Sequence, residues 1–344
     1  MHATIRALMA PGRGILAADE SEPTIARRFK AFGIEPSVEN RRRYRQLLFT
    51  APGIEKYISG VILFDETLRQ NADDGRSFVK LLAESGIVPG IKVDSGATPL
   101  AAAPGERITE GLDGLRERLH AYRALGARFA KWRAVFEIST STPSDYCLEA
   151  NAHALARYAA LCQQAELVPI VEPEILMDGA HSLQRADEVT QRALEYVFTA
   201  LRSQRVVLEQ ILLKPSMVLA GAGFPQQSSV REVAQATVRC LRRAVPAAVP
   251  GIVFLSGGQT PQLATAHLNA LNTMSPPHPW PLGFSFARAL QEPALAVWCG
   301  DSRNVAAAQQ AFLQRARCNG AAREGRYTLE MEQVAQPTTD GSAT

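Results

Sequence analysis

The chain has 344 residues and a formal net charge of +3, too small a surplus over that length to argue for a nucleic-acid partner, and no Lys/Arg run is interleaved with aromatic residues. No apolar run approaches a membrane span, so no membrane partner is expected, and the segment before the first glycine is too short for a signal sequence. A chain of this size forms either one large α/β barrel or two ordinary domains, and both bury a substantial core.

Short apolar runs alternate with longer helical patterns, as in β/α units around a parallel sheet. The first run is Gly14-Ile15-Leu16-Ala17-Ala18, ending at Asp19. Ser21 is placed to cap a helix through Arg27, Arg28 and Phe29, and a second helical pattern covers 39–49. Arg41-Arg42-Arg43 with Arg45, the densest basic cluster, is expected on the solvated face of that helix. The second strand is Gly60-Val61-Ile62-Leu63-Phe64. After a helix over 78–84 that stops at Gly86, Pro89-Gly90-Ile91-Lys92-Val93-Asp94 is the third.

Leu112, Leu115, Leu119, Tyr122 and Leu125 mark the buried stripe of a helix ending at Gly126. The fourth strand, over 129–136, alternates basic and apolar residues through Lys131 and Arg133. A helical pattern over 143–164 leads to the fifth strand, Leu167-Val168-Pro169-Ile170-Val171, which ends in Glu172-Pro173-Glu174. A helix over about 183–201 precedes the sixth, Ile211-Leu212-Leu213-Lys214. The seventh, 251–255, ends in Ser256-Gly257-Gly258; the eighth, 281–286, includes Ser285 and ends near Arg288. Eight strands so separated predict a (β/α)8 TIM barrel over 1–320. An open doubly wound sheet is less favoured, because no G-x-G-x-x-G follows the first strand and no Walker lysine is present. Residues 321–344, with few apolar positions, are expected to be a mobile C-terminal tail.

Five cysteines, Cys147, Cys162, Cys240, Cys299 and Cys318, lie at wide spacings without a C-x-x-C pair. They read as reduced thiols in a cytoplasmic protein.

Lys214 interrupts an apolar run just ahead of Pro215. A lone lysine near a strand end is more often a snorkelling surface residue. Inside an apolar wall, however, burial favours the neutral, nucleophilic amine that imine chemistry requires. In a barrel the C-terminal strand ends share one face, so Asp19, Lys92, Lys131, Arg133, Glu172, Glu174, Lys214, Ser256 and Arg288 would converge there. Each alone has a plain structural reading: a helix cap for Asp19, a solvated pair for the two glutamates, a turn for Ser256-Gly257-Gly258. Their coincidence on so many strand ends favours a site.

His2, His120, His153, His181, His267 and His278 form no H-x-H or H-E-x-x-H pair, so no metal or other cofactor is expected. A carboxylate-bound Mg²⁺ stays open, although three lysines would compete with it and suggest an anionic substrate. Cleaving a C–C bond beside a ketone needs a metal on the carbonyl or a protonated imine, and lysine without metal selects the imine. Bringing an amine from about 10.4 to near 7 takes roughly 4 to 5 kcal/mol. A second lysine about 4 Å away supplies roughly 4 kcal/mol at an effective dielectric near 20. Lys131 is expected to be that neighbour.

These motifs resemble those of the class I (Schiff-base) fructose-bisphosphate aldolases. The resemblance is carried by Gly14-Ile15-Leu16-Ala17-Ala18-Asp19-Glu20-Ser21, Ala72-Asp73-Asp74-Gly75-Arg76, Gly90-Ile91-Lys92-Val93-Asp94 and Phe129-Ala130-Lys131-Trp132-Arg133. It continues through Pro169-Ile170-Val171-Glu172-Pro173-Glu174, Leu212-Leu213-Lys214-Pro215 and Phe254-Leu255-Ser256-Gly257-Gly258-Gln259. It implies a TIM barrel, usually a homotetramer, that reversibly splits fructose 1,6-bisphosphate into dihydroxyacetone phosphate and glyceraldehyde 3-phosphate. Lys214 would form the imine, Glu172 would manage carbinolamine dehydration, and Asp19 would take the hydroxyl proton as the C–C bond breaks. Lys131 would assist electrostatically and Glu174 would order the lysines. One phosphate would meet Ser256, Gly257, Gly258 and Arg288, with Ser285 alongside; the other would meet Ser21, Thr24 and Lys92, with Arg28 and Arg133 close by.

The chain also departs from the family. It ends Asp340-Gly341-Ser342-Ala343-Thr344 without the terminal tyrosine of animal members, and Tyr327 matches an earlier G-[KR]-Y-T element. Phe286-Ala287-Arg288 stands where Tyr-Gly-Arg is usual, Ser216 replaces a common Asn, and Glu22-Pro23 alters the first loop. The competing readings are an imine-forming aldolase for a mono-phosphorylated sugar and a non-catalytic protein on the same barrel.

Overall fold

The computed structural model describes residues 1–333. Among these, ten strands run in chain order: β1 (Gly14–Ala18), β2 (Ile58–Leu63), β3 (Val88–Lys92), β4 (Gly96–Pro99), β5 (Arg107–Glu110), β6 (Phe129–Phe136), β7 (Val168–Ile175), β8 (Leu212–Leu213), β9 (Ile252–Phe254) and β10 (Leu282–Phe286). Eight close into one barrel in the order β1–β10–β9–β8–β7–β6–β3–β2, all pairs parallel. The fold is therefore the expected (β/α)8 barrel. β4 and β5 form a separate antiparallel hairpin in the loop after β3.

Side chains alternate between the two faces of a strand, and here the alternation sorts the interior by height. Ile15 and Ala17, Ile62, Phe129, Val168 and Ile170, Leu212 and Val253 form one apolar cluster with Ile5 and Leu8. Helix His2–Leu8 thus plugs the end where the strands begin. The close packing needs bare backbone, since a Cβ on Gly90 would fall 2.3 Å from the Phe129 ring. Two residues further along the same faces the chain turns polar: Asp19 after Ala17, Lys131 after Phe129, Glu172 after Ile170, Lys214 after Leu212. One end of the barrel is a plug, and the other is a site.

The outer strand faces pack on the helices. Helix Leu183–Ser203, capped by Ser182, buries Ala186, Val189, Ala193, Val197 and Leu201, a stripe at helical spacing. Helix Val230–Ala244 opens with a capping box between Ser229 and Glu232.

Four expectations shift. β7 runs on to Ile175, so Glu172 and Glu174 belong to the strand rather than to its exit. β8 is only two residues long, because Pro215 has no N–H to continue the ladder. Arg45 is not on a solvated face: it is buried, with its guanidinium against Glu20 at 2.6 Å. The tail does not begin at 321, since helix Val305–Arg323 crosses that position with Ala322 and Arg323 buried. Tyr327 is buried as well; the rest of the expected tail, 334–344, lies outside the described residues.

Candidate active site

The polar ends of the strands open into a cleft of about 1110 Å³. It is lined by Asp19, Ser21, Thr24, Arg28, Lys92, Lys131, Arg133, Glu172, Glu174, Lys214, Ser256, Gly257, Gly258, Ser285 and Arg288. Every candidate residue singled out from the sequence is therefore on this one surface.

At its floor Glu172 lies between two lysines. Lys214 Nζ is 3.1 Å from Oε1, and Lys131 Nζ is 3.3 Å from Oε2 and 2.7 Å from Asp19 Oδ2. All three residues of the bridge are 3 % exposed, so their charges meet with little intervening water. Burial opposes the ionisation of Asp19, but Lys131 and then Lys214 outweigh it and hold the carboxyl at about 2. Burial likewise works against Glu172, and Lys131, Lys214 and Arg133 together keep it below the usual carboxylate range. Lys131 is desolvated too, yet Asp19, Glu172 and Asp94 raise it above an ordinary lysine.

Two contacts at the floor differ from those expected. The charge in contact with Lys214 is a carboxylate, so repulsion from Lys131 does not act on it alone. The Glu174 carboxylate accepts from Arg133 Nε, and it is Glu172 that contacts both lysines. The pairing follows from register, since Arg133 is opposite Glu172 on the adjacent strand and Glu174 is the next residue on that face.

Two donor groups flank the floor. After β9, Gly257 and Gly258 adopt φ of +51° and +86°, and successive backbone N–H groups so turned form an anion-binding concavity. Arg288 lies over it, with Nη2 3.3 Å from where a Gly258 Cβ would stand. Arg288 makes no ion pair among the described residues. Ser285 Oγ, buried beside them, has no hydrogen-bond partner among the described residues. On the other side, Ser21 precedes helix Glu22–Ala31 without spending its hydroxyl as a cap, and Oγ is 3.1 Å from Thr24 Oγ1. Lys92 Nζ reaches Asp94 Oδ1 and its carbonyl, both at 2.6 Å.

Sequence reasoning passed over Glu20 and Asp94 as site residues. Glu20 accepts from Arg28, from Arg45 and from Gln291 Nε2 at 2.8 Å. Burial again opposes its charge, and Arg45 and Arg28 hold it below the normal range. It fixes the angle of Arg28 at the cleft wall. Both acids stand inside the quoted motifs, Glu20 between Asp19 and Ser21 and Asp94 two residues after Lys92.

The departures from the family pattern have structural outcomes. Tyr327 OH donates to Glu332 at 2.7 Å and does not line the cleft. Ser216 Oγ bonds both the N–H and the carbonyl of Ile175 at 3.0 Å, tying the exit of β8 to the end of β7. Phe286 is buried with its ring centroid 5.5 Å from that of Phe284. Among the described residues, no three His, Cys, Asp or Glu side chains are grouped to hold a metal, and no helix is long and apolar enough to cross a membrane.

The family model for class-I fructose-bisphosphate aldolase matches residues 1–340. A protein of Xanthomonas campestris pv. campestris described as a "probable fructose-bisphosphate aldolase class 1" is 57% identical over 325 residues, covering 94% of this chain and 97% of its own. Fructose-bisphosphate aldolase C-B of Danio rerio is 53% identical over 93% of this chain and 88% of its own. The crystal structure of Plasmodium falciparum fructose-bisphosphate aldolase, solved with TRAP and a small-molecule inhibitor, superposes with a TM-score of 0.93 at 49% identity. It covers 95% of this chain and 94% of that one. With the same barrel and matching motifs along nearly its whole length, this chain belongs to the class I fructose-bisphosphate aldolase family, a family of carbon–carbon lyases.

Proposed function

We propose that this chain cleaves fructose 1,6-bisphosphate reversibly into dihydroxyacetone phosphate and glyceraldehyde 3-phosphate through an imine on Lys214. The observation that carries this is the Glu172 bridge between Lys214 and Lys131 at the floor of a cleft with cationic walls. Nζ must shed protons to attack a ketone carbon and then to expel its oxygen as water. Glu172 Oε1, 3.1 Å away, is the base in contact to accept one and the acid to return it to the leaving hydroxyl. The protonated imine then draws the electrons of the C3–C4 bond as Asp19 removes the C4 hydroxyl proton. Lys131 stays charged throughout, keeping Asp19 ionised as a base and compensating Glu172 when it is anionic.

The phosphate on the ketone-side product fits the nest of Ser256, Gly257 and Gly258 with Arg288 and Ser285. The far phosphate falls to Ser21, Thr24 and Lys92, with Arg28 and Arg133 in reserve. Arg28 and Lys92 already face Glu20 and Asp94, so that end starts closer to neutral and holds its phosphate more weakly. No metal or other cofactor enters this scheme. One barrel domain, a homotetrameric assembly and a cytoplasmic location follow the family's usual form.

Borohydride reduction with dihydroxyacetone phosphate should leave a stable secondary amine on Lys214, located by peptide mass spectrometry. Lys214→Met should lose both the adduct and turnover. An adduct elsewhere, or none on the active unmodified chain, removes the imine and with it the assignment of Glu172.

A further inference from the structure

What aims the donor nest at the end of β9 is not in the cleft. The Ser256 carbonyl accepts twice from one residue, from the Gln259 backbone N–H and from its side-chain Nε2, each at 3.0 Å. Nε2 also lies 3.8 Å from Met217 Sδ. With its NH₂ so used, the amide presents Oε1 to His267, whose Nδ1 is 2.6 Å away. Amide oxygen only accepts, so Nδ1 carries the proton and Nε2 keeps the lone pair. Nε2 is buried without a partner among the described residues. Burial lowers the imidazole to about 4, so the neutral tautomer persists across the working range.

The consequence comes from peptide planarity. In a trans peptide the C=O and the next N–H point in opposite directions. The Ser256 carbonyl is turned inward onto Gln259, which is buried and absent from the cleft wall. The N–H of Gly257, the other end of the same plane, is thereby turned outward to the cleft that Gly257 lines. His267 sits on helix Pro261–Asn272, so the loop's orientation is referred to a rigid element and not to its own flexible glycines.

We propose that Gln259, held by His267, is a positioning residue that keeps the Gly257 N–H aimed at a phosphate oxygen. The proposal rests on the assignment of this loop to phosphate made above, and it adds two residues that touch no substrate.

The test is inorganic phosphate binding by calorimetry, which does not depend on imine chemistry, together with trapping on Lys214 by dihydroxyacetone phosphate and by unphosphorylated dihydroxyacetone. Gln259→Leu should weaken phosphate about tenfold, as expected when one charge-assisted donor is misdirected. It should raise the dihydroxyacetone phosphate needed for half-maximal trapping by a similar factor and leave the dihydroxyacetone curve in place. His267→Leu should shift phosphate binding in the same direction. His267→Asn, whose amide nitrogen can stand where Nδ1 stands, should restore it. If Gln259→Leu does not fold, the His267→Leu and His267→Asn pair carries the comparison. Unchanged phosphate binding, or an equal loss with both ketones, overturns the proposal. Failure of the unmodified chain to trap either ketone would strike at Lys214, while phosphate binding would still decide the role of Gln259.

Discussion

Glu172 is shared by two lysines, and Lys131 in turn compensates two carboxylates. Removing that one cation should therefore change the titration of the site more than its shape. In Lys131→Met, Asp19 keeps the burial that raises it and loses the first of the charges that lower it from about 3.8 to about 2. Its pKa must rise, so the acid limb of kcat/KM should move to higher pH, with kcat down by about a hundredfold. The sign for stability follows from linkage. A carboxyl depressed in the folded state stabilises above its unfolded value, and that contribution is lost as pH falls through the folded one. For Asp19 the window is from about 4 down to about 2, and Lys131→Met should shrink that loss. An acid limb left in place, measured as a pH profile, would remove Lys131 as the compensating group. Lys214 itself was legible because a cation in an apolar run demands explanation. Arg45 was not: beside Arg41, Arg42 and Arg43 it reads as one more surface charge, and its buried partner Glu20 is 25 residues away in sequence.

The barrel strands were legible because each apolar run contrasts with the helical period around it. The β4–β5 hairpin was not, since its residues Gly96–Pro99 and Arg107–Glu110 are mixed and half exposed. It is held from outside its own sequence. Asn151, on helix Asp145–Gln164, donates to Arg107 O at 2.8 Å, and Thr109 Oγ1 donates to Arg133 O at 2.8 Å. At β7, Glu172-Pro173-Glu174 looks in sequence like an exit, while a charged inner face lets the strand continue to Ile175. The same inner face gives a prediction for the apolar end. Gly90→Ala puts a methyl 2.3 Å from the Phe129 ring and should cost about 1 to 3 kcal/mol by overpacking. Denaturant unfolding should show that loss, and Gly90→Ala with Phe129→Leu should recover part of it through coupling between the two sites. Strict additivity would mean the clash is relieved elsewhere.

A closed barrel has no free edge, but its first and last α-helices among the described residues still have to be joined, and they meet at the plugged end. Arg323, near the end of helix Val305–Arg323, donates to the carbonyls of Arg13 and, at 2.6 Å, Met9, which follow helix His2–Leu8. Beside it Gly320 lies so close to the first segment that a Cβ would meet Gly12 O at 2.5 Å. Burial brings the Arg323 guanidinium down to about 10, so it is still charged at neutral pH and its hydrogen bonds are charge-assisted. In sequence a cation among few apolar positions looks like the start of a tail, whereas Arg323 closes a helix. Arg323→Met keeps a long apolar stem but leaves two half-buried carbonyls without their charged donor, at about 1 to 3 kcal/mol in all. Arg323 does not line the cleft. The variant should therefore unfold at lower denaturant while the fraction of Lys214 trapped by dihydroxyacetone phosphate, measured well below the midpoint, stays at the unmodified value. Trapping that falls in step with stability would mean the two ends of the barrel are coupled, and the fastening at its base would then belong to the mechanism as well as to the fold.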